Sequence, residues 1–295
     1  MVMRRVLLAL LVVVGLAAVS AASAAPTKYI VFTAQAPGGG AEQIYRTTLS
    51  GKGLKQLTKT TYASVAPAFA PDGKHIAFVT LGSGIFTMSP DGTSVHRLTS
   101  NGRDSFPTWS PDGKQIAFLR PSANGWGVYV MSATGKGARR LPQAPSAGRP
   151  TWNTRGLFIP TGGDLGKIDA KTGRLEKLYG AQIDAAVGAD ETAVAPDVSS
   201  LVFVGARKPV PGDKGCGEGV ACPVFALYIQ NLAKHKAPTI LVRDTGPASY
   251  SPDGKRLAFV TEKRMELWTL ATGKFTSFKA GKLLLANDTP PAWQP

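Results

Sequence analysis

Few side chains in this sequence are of the types that carry acid–base or metal chemistry. There are three histidines, His75, His96 and His235. Histidine is the side chain that most often moves protons near neutral pH and binds metals. None of the three has a carboxylate at a spacing that suggests a catalytic pair, so we interpret all three as surface residues. The sequence therefore does not predict an active site built on histidine.

Four aspartates recur in one setting, each directly after a proline: Asp72, Asp112, Asp197 and Asp253. They could bind a metal only if they converged on one point. In Pro-Asp-Gly-Lys, however, the aspartate accepts bonds from backbone N–H groups just downstream, and the glycine takes the positive φ of a tight turn. We therefore predict four hairpin turns, with no metal or other cofactor.

The only two cysteines, Cys216 and Cys222, are separated by five residues. In an exported protein such a pair is expected to form a local disulfide, and metal binding through this pair alone is the weaker alternative. Both lie in a Gly- and Pro-rich insertion from Arg207 to Val224. The insertion is either a rigid recognition loop or a tolerated insertion clipped against proteolysis.

The amino terminus is typical of a secretory signal peptide. Arg4 and Arg5 precede an apolar run from Val6 to Val19, and Ala22-Ser23-Ala24 forms a small-residue exit. Cleavage after Ala24 is expected, leaving no transmembrane anchor and placing the protein in the periplasm, at the cell wall or outside the cell. The formal net charge of +15 favours contact with an acidic protein or an anionic envelope polymer. Export and the lack of a basic-aromatic recognition module argue against nucleic acid.

A repeat runs along the whole chain. Its turn prolines or their equivalents stand at 71, 111, 154, 196, 252 and 295, with steps of 40 to 43 residues and a single step of 56. The last copy stops at Pro291-Ala-Trp293-Gln-Pro295, and the matching back half, Lys28-Tyr-Ile30-Val-Phe32, lies near the start. A fixed period of this length predicts a propeller or a solenoid, and a repeat divided between the termini predicts a closed ring.

Each repeat can be divided into four strands. The second strand, such as Ile116-Ala-Phe118, is apolar on both faces, which indicates a sheet packed between two others. No apolar stripe with helical spacing occurs after the signal peptide. We predict an all-β, six-bladed propeller over residues 25–295, with antiparallel blades at 28–58 plus 291–295, 67–99, 107–141, 150–178, 192–242 and 247–279.

The unit Ser110-Pro-Asp-Gly-Lys-Gln-Ile-Ala-Phe118, with Val128-Tyr-Val-Met131 and Arg139-Arg-Leu141 after it, resembles the WD40-like PD40 repeat of the TolB family. The resemblance implies a six-bladed propeller that binds an envelope lipoprotein through one face. TolB has an α/β domain ahead of the propeller, for which this sequence leaves no room. Related propellers of prolyl-oligopeptidase-type enzymes carry a serine hydrolase domain, but no Gly-x-Ser-x-Gly motif occurs here.

In a propeller, the connections between blades and the loops joining the second and third strands share one face, which we expect to be functional. Its candidate binding residues are Arg103, Asp104, Arg120, Trp126, Arg149, Arg207, Asp244, Lys263 and Asp288. An alternative role for Arg103, Asp104 and Arg149 is to tie neighbouring blades together.

The sequence therefore predicts a monomeric binding or scaffold protein without catalytic residues. One alternative is a lactonase, lyase or hydrolase that uses Asp104, Asp244 and Asp288 on a small molecule or glycan at the channel mouth. A passive structural protein is the other, because the fold alone does not distinguish these functions.

Overall fold

All regular elements in the described part of the chain are β-strands. The structure is a computed structural model that describes residues 28–123, 125–142, 144, 148–161, 164–179, 192–207, 224–234, 237–243, 245–261, 264–286 and 288–295. The strands form six sheets, each the blade of a propeller, which confirms the predicted fold class. Within these residues no helix is long and apolar enough to cross a membrane.

Five blades each contain four consecutive antiparallel strands. Blade 2 comprises β4 (Ser64–Phe69), β5 (Ile76–Thr80), β6 (Gly84–Met88) and β7 (His96–Arg97). Blade 3 comprises β8 (Ser105–Trp109), β9 (Gln115–Ser122), β10 (Gly125–Ser132) and β11 (Arg139–Arg140). Blade 4 comprises β12 (Thr151–Asn153), β13 (Gly156–Thr161), β14 (Asp164–Ile168) and β15 (Leu175–Leu178). Blade 5 comprises β16 (Thr192–Val194), β17 (Ser200–Arg207), β18 (Val224–Asn231) and β19 (Thr239–Arg243). Blade 6 comprises β20 (Ala248–Tyr250), β21 (Arg256–Thr261), β22 (Arg264–Thr269) and β23 (Lys274–Phe278).

Blade 1 joins the two ends of the chain. It contains β1 (Tyr29–Gln35), β2 (Gln43–Thr48) and β3 (Lys55–Gln56), and its first strand comes in two pieces, β24 (Leu284–Leu285) and β25 (Ala292–Trp293). Both pieces pair with β1, with Trp293 opposite Ile30 and Leu285 opposite Ala34. The predicted ring closure is confirmed. The first strand of each blade also contacts the first strand of the next blade around the complete ring.

The hydrophobic core lies between the blades rather than within them. Six buried clusters each join one pair of neighbouring blades. On β9, for example, Phe118 packs towards blade 2 and Ala117 towards blade 4. The second strand is apolar on both faces because each face meets a different neighbour.

The predicted aspartate turns form between the first and second strands. The carboxylate of Asp112 accepts a bond of 3.0 Å from the Lys114 backbone N–H, and Asp72, Asp197 and Asp253 make the same contact two residues downstream. Gly113 has a φ of 69°, whereas blade 5 places Val198 at 61° instead. The recurring aspartates are therefore hairpin residues, as predicted.

The aromatic residue that ends the first strand ties its blade to the preceding one. The Trp109 indole N–H donates to the Ala68 carbonyl at 3.1 Å, and the Trp293 indole N–H donates to the Ser249 carbonyl at 3.2 Å. In blade 6, the Tyr250 hydroxyl lies 2.9 Å from the Ser200 hydroxyl of blade 5, and burial strongly raises the pKa of Tyr250. These side chains fix the angle between neighbouring blades.

A second set of ties involves the turn between the third and fourth strands. The Lys55 ammonium donates to the Asp91 carbonyl of the next blade at 2.8 Å, and the Arg139 guanidinium donates to the Lys171 carbonyl at 2.6 Å. The glycine of this turn packs against the preceding blade. A Cβ on Gly135 would lie 2.7 Å from the Leu98 carbonyl oxygen. Some of the basic residues that raise the net charge are thus structural.

Candidate functional site

The loop face, defined by the connections between blades and the hairpins joining second and third strands, gathers several predicted residues on blade 3. Arg103 and Asp104 precede β8, while Arg120 and Trp126 belong to the hairpin of β9 and β10. Asp288 lies on blade 1, ahead of β25, and is exposed. The backbone of Arg207 ends β17, and its side chain lies outside the described part. Asp244, Lys263, Cys216 and Cys222 also fall outside the described residues, so the predicted disulfide stays a prediction.

Asp104 and Arg120 form an ion pair on this face. Arg120 Nε lies 2.6 Å from Asp104 Oδ1, and its Nη2 lies 2.8 Å from Oδ2. The Asp104 side chain is fully buried, whereas that of Arg120 is 22% exposed. Two parallel N–H donors on one carboxylate give a strong and directional contact. The strand register produces it, because Ser105 pairs with Leu119.

The arginine of this pair is also held by aromatic rings. Its guanidinium carbon lies 5.3 Å from the Phe118 ring centroid and 4.8 Å from that of Tyr129. The hydrogen bonds that Arg120 donates to Asp104 raise the pKa of Arg120, against the opposing effect of burial. Asp104 joins two strands of one blade, so the expectation that it ties neighbouring blades is wrong. A carboxylate with both oxygens bonded to an arginine is also a poor general base.

Arg149 does link two blades. It precedes β12 of blade 4, and its guanidinium lies 5.6 Å from the centroid of Phe106 on β8. Phe106 has a φ of 50° and precedes Pro107, and Ala66 before Pro67 has a φ of 52°. Both positions are bulges where the register of the first strand shifts. Such bulges redirect side chains and increase local twist.

An exposed group of side chains spans blades 2 and 3. We call it the loop-face patch, and it consists of Tyr62, Leu81, Arg103 and Trp126. The three apolar members are 63%, 48% and 42% exposed, respectively. The Leu81 N–H donates to the Ala63 carbonyl at 2.9 Å, which places Leu81 beside the Tyr62 loop. The Gly82 N–H donates to the Gly102 carbonyl at 3.1 Å, which ties this hairpin to the loop carrying Arg103.

A polar network that includes the buried residues Gln43, Ser64 and Thr80 supports the patch from below. The amide of Gln43 accepts from the Thr60 N–H at 3.1 Å and donates to the Thr60 carbonyl at 2.9 Å. The Thr60 hydroxyl lies 2.9 Å from that of Ser64, which lies 3.2 Å from that of Thr80. Ser64 and Thr80 occupy in blade 2 the places of Asp104 and Arg120 in blade 3. Networks satisfied in this way hold loops in one conformation.

Blade 1 carries a different feature on the same face. Burial and the negative charge of Asp288 raise the pKa of Glu42, which precedes β2. Sequence reasoning missed Glu42 and Leu81, although both occupy the same kind of hairpin as Trp126 and could have been found by aligning the repeats. Among the described residues, no three His, Cys, Asp or Glu side chains are grouped so that they could hold a metal.

Comparisons with known proteins agree with this architecture. Residues 17–161 match the family model of the TolB beta propeller domain. The crystal structure of TolB from Acinetobacter baumannii superposes with a TM-score of 0.67 at 18% identity, covering 91% of this chain and 67% of that one. A chain of the nidogen/laminin complex gives a TM-score of 0.65 at 14% identity, covering 90% of this chain and 98% of that one. No curated protein matches the chain in sequence. At these identities the similar structures establish the fold alone.

Proposed function

We propose that this six-bladed β-propeller, which is similar to the TolB propeller, is an exported, non-catalytic binding module that recognises a protein of the cell envelope through the loop face of blades 2 and 3. The observation that carries the proposal is the loop-face patch, in which three large apolar side chains and Arg103 are exposed on tied loops. Exposed tyrosine, tryptophan and arginine are the residue types that dominate binding energy at protein interfaces.

The support beneath the patch favours recognition. The Asp104–Arg120 pair links the loop before β8 to the hairpin of β9 and β10. The Gln43–Thr60 network holds the loop that carries Tyr62. A surface that is already ordered loses less conformational entropy on binding. The expected partner therefore meets a preformed surface.

The chemistry of the partner follows from the charge of the patch. Arg103 is exposed and its side chain makes none of the hydrogen bonds or ion pairs of the described residues, while the chain carries a formal net charge of +15. A carboxylate on the partner would pair with Arg103, and an aromatic or aliphatic group would pack on Trp126 and Leu81. We therefore expect an acidic protein surface with an apolar centre. An anionic envelope polymer would use the charge and leave the apolar side chains unused.

Export rests on residues 1–24, whose pattern is that of a cleaved signal peptide. Fractionation of the source cells, with determination of the amino-terminal residue of the mature protein, tests it. A mature chain that starts at Ala25 in the envelope or extracellular fraction is the expected result.

Binding through the patch is tested by affinity capture from native envelope extract. The affinity tag belongs ahead of Lys28, because the carboxyl-terminal strand closes the ring. The test variant is Arg103→Glu/Trp126→Ala. The matched control, Lys136→Glu/Val95→Ser, makes a similar change at exposed positions on the opposite face. A protein retained by wild type and control but lost by the test variant supports the proposal, and equal retention by all three contradicts it.

The enzymatic alternative has one observation in its favour, the raised pKa of Glu42 beside Asp288. A perturbed carboxyl beside a second one is a recurrent feature of hydrolytic sites. Turnover of lactone or glycoside substrates that disappears in Glu42→Gln while the fold is retained would establish it. Turnover that also persists in Asp104→Asn would agree with the structural role of Asp104.

A further inference from the structure

A groove of about 840 Å³ lies on the face opposite the loops, where blades 2 and 3 meet. We call this the turn face, because it carries the aspartate turns and the turns between third and fourth strands. The groove runs from Pro71 and Trp109 near the ring axis to His96 and Thr134 at the rim. Its volume is in the range of sites for small molecules.

The inner end of the groove is open because of a histidine. At the junction of blades 6 and 1, the Arg256 guanidinium lies 4.9 Å from the Trp293 ring centroid and covers the indole. His75 holds the same place in the repeat, one residue before the second strand. Its ring centroid lies 6.4 Å from that of Trp109, with the planes inclined by 36°. Both tryptophans donate to the preceding blade in the same way, so the two junctions differ in the covering side chain.

The outer end is open for a similar reason. Lys55 and Arg139 begin the fourth strands of blades 1 and 3, and both donate to turn carbonyls of the next blade. His96 holds this position in blade 2, opposite Thr87. Within the described part of the chain, no side chain donates to the corresponding carbonyls of Ala133 and Thr134. The imidazole is too short to replace the longer cations.

The wall of the groove is polar at a position that is apolar in blades 3, 5 and 6. Thr87 corresponds to Val130 of blade 3, which is buried in the core between blades 3 and 4. Asp72 and Asp112 are also among the residues that line the groove. Asp72 Oδ2 lies 3.4 Å from His75 Nδ1, so the sequence-based statement that no histidine has a suitably placed carboxylate is wrong.

Among the described residues that line the groove, the one arginine is Arg97, and its guanidinium is already bonded. The Arg97 guanidinium donates to the carbonyls of Ser83 and Thr99, at 2.5 and 2.9 Å, respectively. The groove therefore combines an aromatic floor, two carboxylates and two turn carbonyls, at places where sister junctions hold an Arg and a Lys. This is the environment of a bound cation, since an indole ring and carbonyl oxygens both attract positive charge.

We infer that the groove between blades 2 and 3 binds an organic cation carrying a guanidinium or ammonium group. A guanidinium at the inner end would lie against Trp109 and Asp72, as Arg256 lies against Trp293. An ammonium at the outer end would meet the carbonyls of Ala133 and Thr134, as Lys55 meets Asp91. The site is on the opposite face from the loop-face patch, so the test of cation binding is independent of the test of the proposed function.

Isothermal titration of the full mature chain tests the inference with two probes, agmatine and acetyl-Gly-Arg-Gly-amide. The corresponding citrulline peptide is the uncharged control. Saturable binding of either cationic probe, at least tenfold weaker for citrulline, is the expected result. Tighter binding of agmatine would identify a free cation as the ligand, and tighter binding of the peptide would identify an arginine of a protein. Absence of binding by both cationic probes at millimolar concentration would overturn the inference.

Two double variants locate the site. His75→Arg/His96→Lys combines the inner arginine of the junction of blades 6 and 1 with the outer lysine of the junction of blades 1 and 2, and should lower affinity at least tenfold without lowering the Tm. Gln115→Arg/Ser50→Lys adds the same charges at the equivalent inner position of blade 3 and on an exposed turn of blade 1, and should bind like wild type. Equal affinity of wild type and the first variant, or equal loss in both variants, would contradict binding in this groove.

Discussion

The two faces of the ring hold their loops in different ways. On the turn face, one solution recurs, in which an aspartate accepts the backbone N–H two residues downstream. On the loop face, the equivalent positions differ from blade to blade. Blade 3 has the Asp104–Arg120 pair and blade 2 has Ser64 and Thr80, whereas blade 1 joins the hydroxyls of Thr289 and Thr33, each one position away from those places, at 2.9 Å.

This difference shows where the chain is free to vary. Turns that must match the neighbouring blade keep one geometry, since they lie close to it: a Cβ on Gly113 would lie 3.4 Å from the Pro71 ring of the preceding blade. Loops that face outward can carry specific side chains once the ring is closed. The groove of His75 and His96 is one place on the turn face where the repeat departs from its own pattern.

The largest expected effect is at the ion pair of the loop face. Asp104→Asn keeps the shape of the side chain but leaves Arg120 without its counter-charge, which should lower the free energy of unfolding by about 3–5 kcal/mol. Urea denaturation at pH 7 measures it. The equivalent change in blade 2, Ser64→Ala, removes neutral hydrogen bonds and should cost about 1 kcal/mol. Similar losses for the two variants would refute the contrast between blades.

The next effect concerns the packing of the turn face. Gly135 and Gly137 have φ values of 81° and 66°, but only an added Cβ at Gly135 meets backbone, at 2.7 Å. Gly135→Ala should cost about 2–4 kcal/mol, from left-handed strain and overpacking together. Gly137→Ala should cost about 1 kcal/mol from strain alone. Thermal unfolding of both variants checks the difference, and equal melting temperatures would show that the turn does not press on blade 2.

A smaller effect is expected from acid. The Ser110 hydroxyl and the Lys114 backbone N–H lower the pKa of Asp112 below its ordinary value of 3.8. Because the folded-state pKa is depressed, the stabilisation is present above pH 3.8 and is lost as the pH falls through the folded value. Asp112→Asn should be less stable than wild type at pH 7 and should approach it near pH 2. A difference in urea midpoint that is independent of pH would contradict this role.

The smallest expected effect is a gain in stability rather than a loss, and it concerns Glu42 on the loop face. The pKa of Glu42 is raised above 4.5, chiefly by burial and then by Asp288. A raised carboxyl pKa favours the folded state at low pH, and this contribution is lost as the pH rises through the folded value. Glu42→Gln should therefore raise the Tm slightly at pH 7 and leave it unchanged at pH 4. A lower Tm at pH 7 would show that the carboxylate is stabilised by a contact that these interactions do not include.

The sequence predicted the features that depend on neighbours along the chain. The aspartate turns involve residues two positions apart, and the ring closure was visible as a divided repeat. The Asp104–Arg120 pair was not predicted, although both residues were candidates, because it joins residues 16 apart through the register of β8 and β9. The groove was not predicted because it depends on the space that the short side chains of His75 and His96 leave between blade 2 and blade 3.

The closure of blade 1 also determines when this protein can finish folding. The Gln294 side chain accepts from the Tyr29 backbone N–H, a contact between residues 265 positions apart. Chains dominated by such distant pairings fold slowly, since a long loop must close before the contact forms. Pairing of β24 and β25 with β1 completes the first blade, so loss of these two strands would leave that edge of β1 unpaired. The edge of β1 is therefore protected only after the two most distant parts of the ring have met.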